Sequence, residues 1–285
     1  MTVSASIWRG LRVVEHLLTG SLIAVYVASS SALGRPPAWT PAVVRWWHER
    51  LCRALALQIE VTGEPAGKAL LVANHVSWLD IPVLGAQTEI EFLSKAEVRA
   101  WPLIGWLSEI AGTLFIARGA RQSAATAKRI AERIRLGRPV VVFPEGTTTD
   151  GASVRRFHPR LFAAAQEDGL KVQPVALRYG NGRTPDPVAP FVGKDALLPH
   201  LLRVLCHPGL RVRIELLDAI DGHGLDRRGL ADACRRRIAE ALEIDASAGI
   251  RAQVANWTAA QEPVLGLLPG REEDFEGGRL GSPPG

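Results

Sequence analysis

His75 and Asp80 lie five residues apart in "LLVANHVSWLDIPVL" (residues 70–84), where an apolar run stops. A core strand ordinarily ends in turn residues; this one ends in an imidazole and a carboxylate. Histidine takes a proton near neutral pH, and a carboxylate beside it can fix the tautomer and stabilise the imidazolium. The pair therefore suits general-base chemistry, and a strand end is where an α/β fold presents such groups. Five residues is awkward on one straight helix, whereas a strand-to-helix turn could bring the side chains together. A hydrogen-bonded structural histidine fits the same spacing.

Three further strand ends carry polar groups. "VVVFPEGTTTDG" (140–151) stops at Pro144 and then presents Glu145, Gly146 and Thr147. Gly146 permits a positive-φ turn and close ligand approach. Glu145 suits a substrate hydroxyl or a nearby cation, although an ordinary strand-to-loop junction reads similarly. "GTLFIARG" (112–119) ends in Arg118, either a solvated terminus or a phosphate ligand using its bidentate fork. Pro174 in "KVQPVALRYG" (171–180) predicts an edge strand or a bulge.

The elements that must position these groups alternate. Strand-like runs fall at 70–73, 90–94, 112–117, 140–144, 172–177 and 212–217, with helical patterns between them. The clearest helix, 122–136, places Ala127, Ile130, Ala131 and Ile134 on one face. This order predicts an α/β fold with a largely parallel sheet flanked by helices. Ahead of it, residues 17–34 are apolar and uncharged, and "GRPP" at 34–37 interrupts them. A second helix is predicted from Thr40 as N-cap with Pro41 in its first turn. Val43, Trp47, Leu51 and Leu55 form its apolar stripe. Seven of the eight tryptophans precede residue 107. Basic amphipathic helices with tryptophan suit a membrane interface; two helices packed on a soluble core are the other reading. The expected domains are a membrane-associated helical hairpin (1–57), a main domain (58–267) and a disordered Gly- and Pro-rich tail (268–285).

The 285 residues are 47% hydrophobic and 22% charged, which argues against disorder and against a polytopic membrane protein. A net charge of +5 fits an anionic surface or substrate. No nucleic-acid signature accompanies it. The scattered Cys52, Cys206 and Cys234 suggest a reducing compartment and neither a disulfide framework nor a zinc site. No convincing signal-peptide cleavage pattern follows Arg9 and Arg12.

Together the stretches resemble the glycerolipid acyltransferase family, which includes lysophosphatidic acid acyltransferases. "NHVSWLD" (74–80) looks like its Asn-His-x-x-x-x-Asp motif, and "GTLFIAR" (112–118) like its Gly-x-x-Phe-Ile-x-Arg. "FPEGTTT" (143–149) looks like its Phe-Pro-Glu-Gly-Thr-Arg-Ser, and "VQPVAL" (172–177) like its hydrophobic-x-Pro-Val-x-hydrophobic. Order and spacing also match, and "FLSKAEVRAWPLIG" (92–105) resembles the family's lysine-containing segment, here Lys95. The resemblance spans about residues 40–220. Two departures stand out: Thr148 replaces the usual arginine, and Phe157-His158 replaces a downstream Phe-Lys. Thr148 also occurs in branches that look like lyso-ornithine-lipid acyltransferases.

The resemblance implies acyl transfer from acyl-CoA or acyl-carrier protein to the free hydroxyl of a lysophospholipid. The main expectation is 1-acylglycerol-3-phosphate giving phosphatidic acid, and the alternative is a lyso-ornithine lipid. His75 would be the general base and Asp80 its support, with Arg118, Glu145, Gly146, Thr147 and Lys95 holding substrate. No cofactor or metal is implied. A membrane surface is the expected partner, at the cytoplasmic face of the cell membrane, reached by a hairpin or a single helix. Arg9 and Arg12 favour a cytoplasmic N-terminus; a single span would then carry the main domain away from thioester donors, whereas a hairpin would not. A non-catalytic lipid-binding protein is the other class of reading, and it has no need of His75 and Asp80.

Overall fold

The computed structural model describes residues 3–116, 120–167, 169–182 and 184–244. Two helices come first, α1 (Val3–Ala32) and α2 (Thr40–Ala54). Then follow β1 (Gln58–Thr62), β2 (Ala69–Ala73), α3 (Asp80–Gly85), β3 (Glu91–Lys95), α4 (Ala96–Arg99), α5 (Ile104–Ile110) and β4 (Leu114–Ile116). The second half holds α6 (Ala120–Arg135), β5 (Val140–Val142), a 3-10 turn (Pro159–Phe162), α7 (Ala163–Glu167), β6 (Lys171–Tyr179), α8 (Leu197–Cys206), β7 (Arg211–Leu216) and α9 (Arg227–Ala241).

The seven strands form one sheet in the order β1-β7-β6-β2-β5-β3-β4, with every neighbouring pair parallel except β6 and β7. All five residues of β2 are buried, alternating between two faces. Leu71 and Ala73 join a core with α2, α3 and α8, while Leu70 and Val72 join another with α6, α7 and α9. A strand covered by helices on both faces must read as a continuous apolar run, as "ALLVA" does. The predicted face of α6 is buried at Ala127, Ile130, Ala131 and Ile134.

Two local expectations change. β1 lacks an apolar run because it is a largely exposed edge strand. β6 is an interior strand despite Pro174. The Pro174 carbonyl accepts from the Leu217 N–H at 3.0 Å, so its nitrogen faces the same side. There β7 has already ended and the β6–β7 ladder starts one residue later, at Val175, so no ladder donor is lost.

The apolar N-terminal helix begins much earlier than residue 17 and runs for 30 residues. Val13, His16, Gly20, Ala24 and Val27 are buried on one narrow seam, and α1 packs against α2, α5 and α8. Trp47 of α2 stacks on His16 at 4.2 Å and donates its indole N–H to the His16 carbonyl at 3.2 Å. Arg9 donates to the carbonyls of His207 (2.6 Å) and Pro208 (3.2 Å), just past the C-terminal end of α8. Leu11, Val14, Leu18, Leu22 and Val25 are exposed. Thr40 is the first residue of α2 rather than its cap: its hydroxyl donates back to the Pro37 carbonyl at 2.7 Å, and Trp39 precedes the helix.

The connections place the functional residues. After β2 the chain goes to β3, beyond β5 on one side; after β5 it goes to β6, beyond β2 on the other. Such a reversal opens a crevice at the C-terminal ends of the two central strands, and His75 and Glu145 are the residues found there.

Gly20 lets α1 and α2 close together, because a Cβ at this position would meet the Trp47 ring at 2.5 Å. Gly20→Leu should therefore lower Tm by about 2–10 °C and expose α1 to limited proteolysis, overpacking outweighing the gain in helix propensity. An unchanged Tm would contradict this packing.

Candidate active site

The turn from β2 into α3 is wound around one carboxylate. Asp80 opens α3 and is wholly buried. Its Oδ2 accepts from His75 Nδ1 at 2.7 Å, from the Val76 N–H at 2.8 Å and from the Ser77 N–H at 3.1 Å. Its Oδ1 accepts from the Tyr179 hydroxyl at 2.7 Å. The five-residue spacing works because residues 76–79 curl back over the side chain, with the Asp80 N–H donating to the Ser77 carbonyl at 3.1 Å. A carboxylate only accepts, so His75 carries its proton on Nδ1, and Nε2 is left to take one.

The stretch after β5 holds His75 from three sides. The Phe143 ring stacks on the imidazole at 4.1 Å. Glu145 Oε1 accepts the His75 backbone N–H at 2.8 Å. The Thr149 N–H and hydroxyl both donate to the His75 carbonyl, at 2.8 and 3.2 Å. Glu145 Oε2 accepts the Arg155 N–H at 2.8 Å. Glu145 is buried, and both its oxygens are held by the chain itself rather than turned to a substrate. Gly146 has φ +68°, and a Cβ there would sit 3.2 Å from the His158 ring. Thr147 is exposed beside it, and Lys95 is exposed at the C-terminal end of β3, on the same sheet edge. Arg118 and the 268–285 tail lie outside the described residues.

Several contributors carry little sequence signal. Asn74 is buried and pairs with both backbone groups of Leu177, tying the end of β2 to β6 at 3.0 and 2.8 Å. Tyr179 ends β6 two residues further on and faces Asp80; it falls just beyond the 172–177 motif, inside the stretch 171–180. Arg235 of α9 donates to the Val154 and Arg155 carbonyls, both at 3.1 Å, and so steadies the loop that reaches Glu145. Trp78 donates to His200 Nδ1 of α8 at 3.0 Å, which leaves His200 Nε2–H for the Pro190 carbonyl at 3.0 Å. Among the described residues no cluster of three or more His, Cys, Asp or Glu could hold a metal ion.

An imidazole held by a buried carboxylate at a strand end can act as a base, and the pair lies within the stretch that known proteins match. Residues 58–178 match the family described as Acyltransferase. A lyso-ornithine lipid O-acyltransferase of Pseudomonas aeruginosa is 53% identical over 201 residues, covering 70% of this chain and 78% of that protein. The chain belongs to the acyltransferase family. A 1-acyl-sn-glycerol-3-phosphate acyltransferase of Neisseria meningitidis is 32% identical over 203 residues, covering 69% of this acyltransferase and 79% of that protein. The crystal structure of the 1-acyl-sn-glycerophosphate acyltransferase PlsC from Thermotoga maritima shares the fold, with a TM-score of 0.56 at 21% identity over 82% of this chain and 96% of that one.

Burial pushes the Glu145 carboxyl of this acyltransferase from 4.5 up to about 7, with its two backbone N–H bonds opposing the rise and the Asp80 charge adding to it. A raised acid binds more protons folded than unfolded, so this contribution to stability is lost as pH climbs from 4.5 to about 7. The loss is on the order of 3 kcal/mol once the group is fully ionised. Tm should therefore decline between about pH 4.5 and about pH 7, and Glu145→Gln should flatten that decline while slowing turnover by loosening His75. Equal slopes in both proteins would refute this.

Proposed function

We propose that this acyltransferase moves a fatty acyl chain from a thioester donor, acyl-CoA or acyl-carrier protein, to the free hydroxyl of a lyso-ornithine lipid at a membrane surface. The His75–Asp80 pair supports the chemistry. His75 Nε2 takes the proton of the acceptor hydroxyl as its oxygen attacks the thioester carbonyl. The tetrahedral intermediate collapses to the ester and expels the thiolate, which recovers the proton from the imidazolium. Asp80 holds the tautomer and stabilises the imidazolium. The acceptor supplies the nucleophile, so no acyl-enzyme is required. Glu145, Phe143 and Thr149 fix the base, while Thr147, Lys95 and Arg118 are the substrate-facing candidates.

Thr148 is the observation that carries the acceptor. Its hydroxyl donates to the Phe191 carbonyl, in the loop ahead of α8. The position therefore offers no cation to a phosphate. A relative of 53% identity is named for a lyso-ornithine lipid, and so are relatives from Rhizobium meliloti and Rhodobacter capsulatus. Lysophosphatidic acid is the second reading, favoured by the Neisseria relative and by Arg118 at the family's arginine position.

The N-terminal helices support attachment without a span. α1 is long and apolar enough to cross a membrane. Its seam, however, packs on α2, α5 and α8, while Leu11, Leu18 and Leu22 point outward. A helix lying along the domain in this way suits the interfacial plane, which supports the reading of a site on the cytoplasmic side, where thioester donors are found.

With both lysolipids in competition, the full-length protein should show the higher kcat/KM for lyso-ornithine lipid. Thr148→Arg should move the ratio toward lysophosphatidic acid, and a wild type that already prefers lysophosphatidic acid would hand the acceptor to the second reading. His75→Ala should abolish thiol release with either lipid, a loss of at least about 10²-fold; near-normal turnover would end the base assignment. Replacing Leu11, Leu18 and Leu22 together by glutamate should weaken sedimentation with anionic vesicles by about tenfold or more. Undiminished binding would place the contact elsewhere.

A further inference from the structure

We infer that Tyr179 is a positioning residue of the reaction, a third member of the His75–Asp80 unit whose hydroxyl sets how strongly Asp80 supports the imidazolium. The inference rests on the reading of His75 as the base. Asp80 Oδ2 is filled by three donors from its own turn, and Oδ1 receives the Tyr179 hydroxyl at 2.7 Å. Asp80 has no exposure to water and Tyr179 only 2%. Water therefore does not replace the phenol.

The phenol reaches Asp80 by strand geometry. Val175, Leu177 and Tyr179 alternate onto the face of β6 that packs with α3. The Asn74–Leu177 pair sets the register two residues away. The hydroxyl is thus delivered to the carboxylate by the sheet rather than by the active-site loop. Burial, with the Asp80 charge adding to it, holds the phenol well above its ordinary ionisation range, so it remains a donor across the working pH.

The consequence has a sign. A hydrogen bond to Oδ1 stabilises the carboxylate and draws charge from Oδ2. Asp80 then supports the His75 imidazolium less strongly. No proton moves to or from Tyr179. Without the hydroxyl, Oδ1 is buried and unsatisfied, and Asp80 pulls harder on the imidazole.

The chain has two tyrosines, Tyr26 and Tyr179, and Tyr26 lies exposed on α1. A full-length Tyr26→Phe background therefore makes Tyr179 the single site for fluorotyrosine incorporation, which grades phenol acidity with little change of shape. Three pH profiles of kcat/KM are compared: tyrosine, 3-fluorotyrosine and 3,5-difluorotyrosine. Glu145, whose raised carboxyl also titrates in this range beside His75, is the same in all three proteins, so movement within the series reports the phenol: the acid limb should shift stepwise to lower pH as the phenol becomes a stronger donor, with both KM values constant. Tyr179→Phe should move it up by roughly half a pH unit, with an unchanged circular dichroism spectrum. If that variant fails to fold, the fluorinated series still decides. An acid limb that stays in place across the series overturns the role of Tyr179. If His75→Ala is inactive in the same assay, the base assignment survives that result; if His75→Ala turns over normally, the base assignment falls first.

Discussion

A carboxylate without access to water has to be solvated by the protein, and Asp80 imposes that demand on everything around it. An unpaired buried charge costs several kcal/mol even after relaxation. Four donors meet the demand here, from His75, two loop amides and Tyr179. The amides force the turn after β2 to close on itself. The phenol requires β6 to lie beside β2, and the imidazole must leave the strand at the one residue from which Nδ1 can reach. Sheet order, turn shape and chemistry are therefore one constraint seen at three scales.

The loop after β5 works as a splint. His75 is gripped at its ring by Phe143, at its amide by Glu145 and at its carbonyl by Thr149. Catalysis by a positioned base depends on geometry held to fractions of an ångström. Of the polar side chains of "FPEGTTT", Glu145 and Thr149 serve that purpose and Thr148 is engaged by the Phe191 carbonyl. Thr147 is the exposed one, and the head-group question therefore concentrates on few side chains.

Much of this was legible in the sequence because burial writes itself as pattern. β2, α6 and the six apolar strand runs were readable from period alone, and His75 with Asp80 from residue type at a strand end. β1 was not, since an exposed edge strand buries too little to show. Pro174 misled because the rule about proline concerns the ladder side its nitrogen faces, and sequence does not reveal that side. Glu145 read as a substrate ligand because a carboxylate after a strand end looks open until the backbone amides of His75 and Arg155 are seen to claim it. Tyr179 and Asn74 act across strands some hundred residues apart in the chain, a relation that local spacing does not contain.

The docking of α1 sets an order of assembly. Arg9 binds carbonyls almost two hundred residues downstream, and β1 finds its partner only in β7. At translation speeds of about 5–20 residues per second, α1 waits roughly 10–40 s for its seat on α8 to be made. Through that interval α2 and α5 can already cover part of its seam, while the seat on α8 is missing and the outward leucines stay bare. A bilayer surface or a holding chaperone would shelter such a segment, and under the proposed attachment the surface can be reached before the fold is complete. The enzyme would then mature already resting on the surface where its lipid substrate is found.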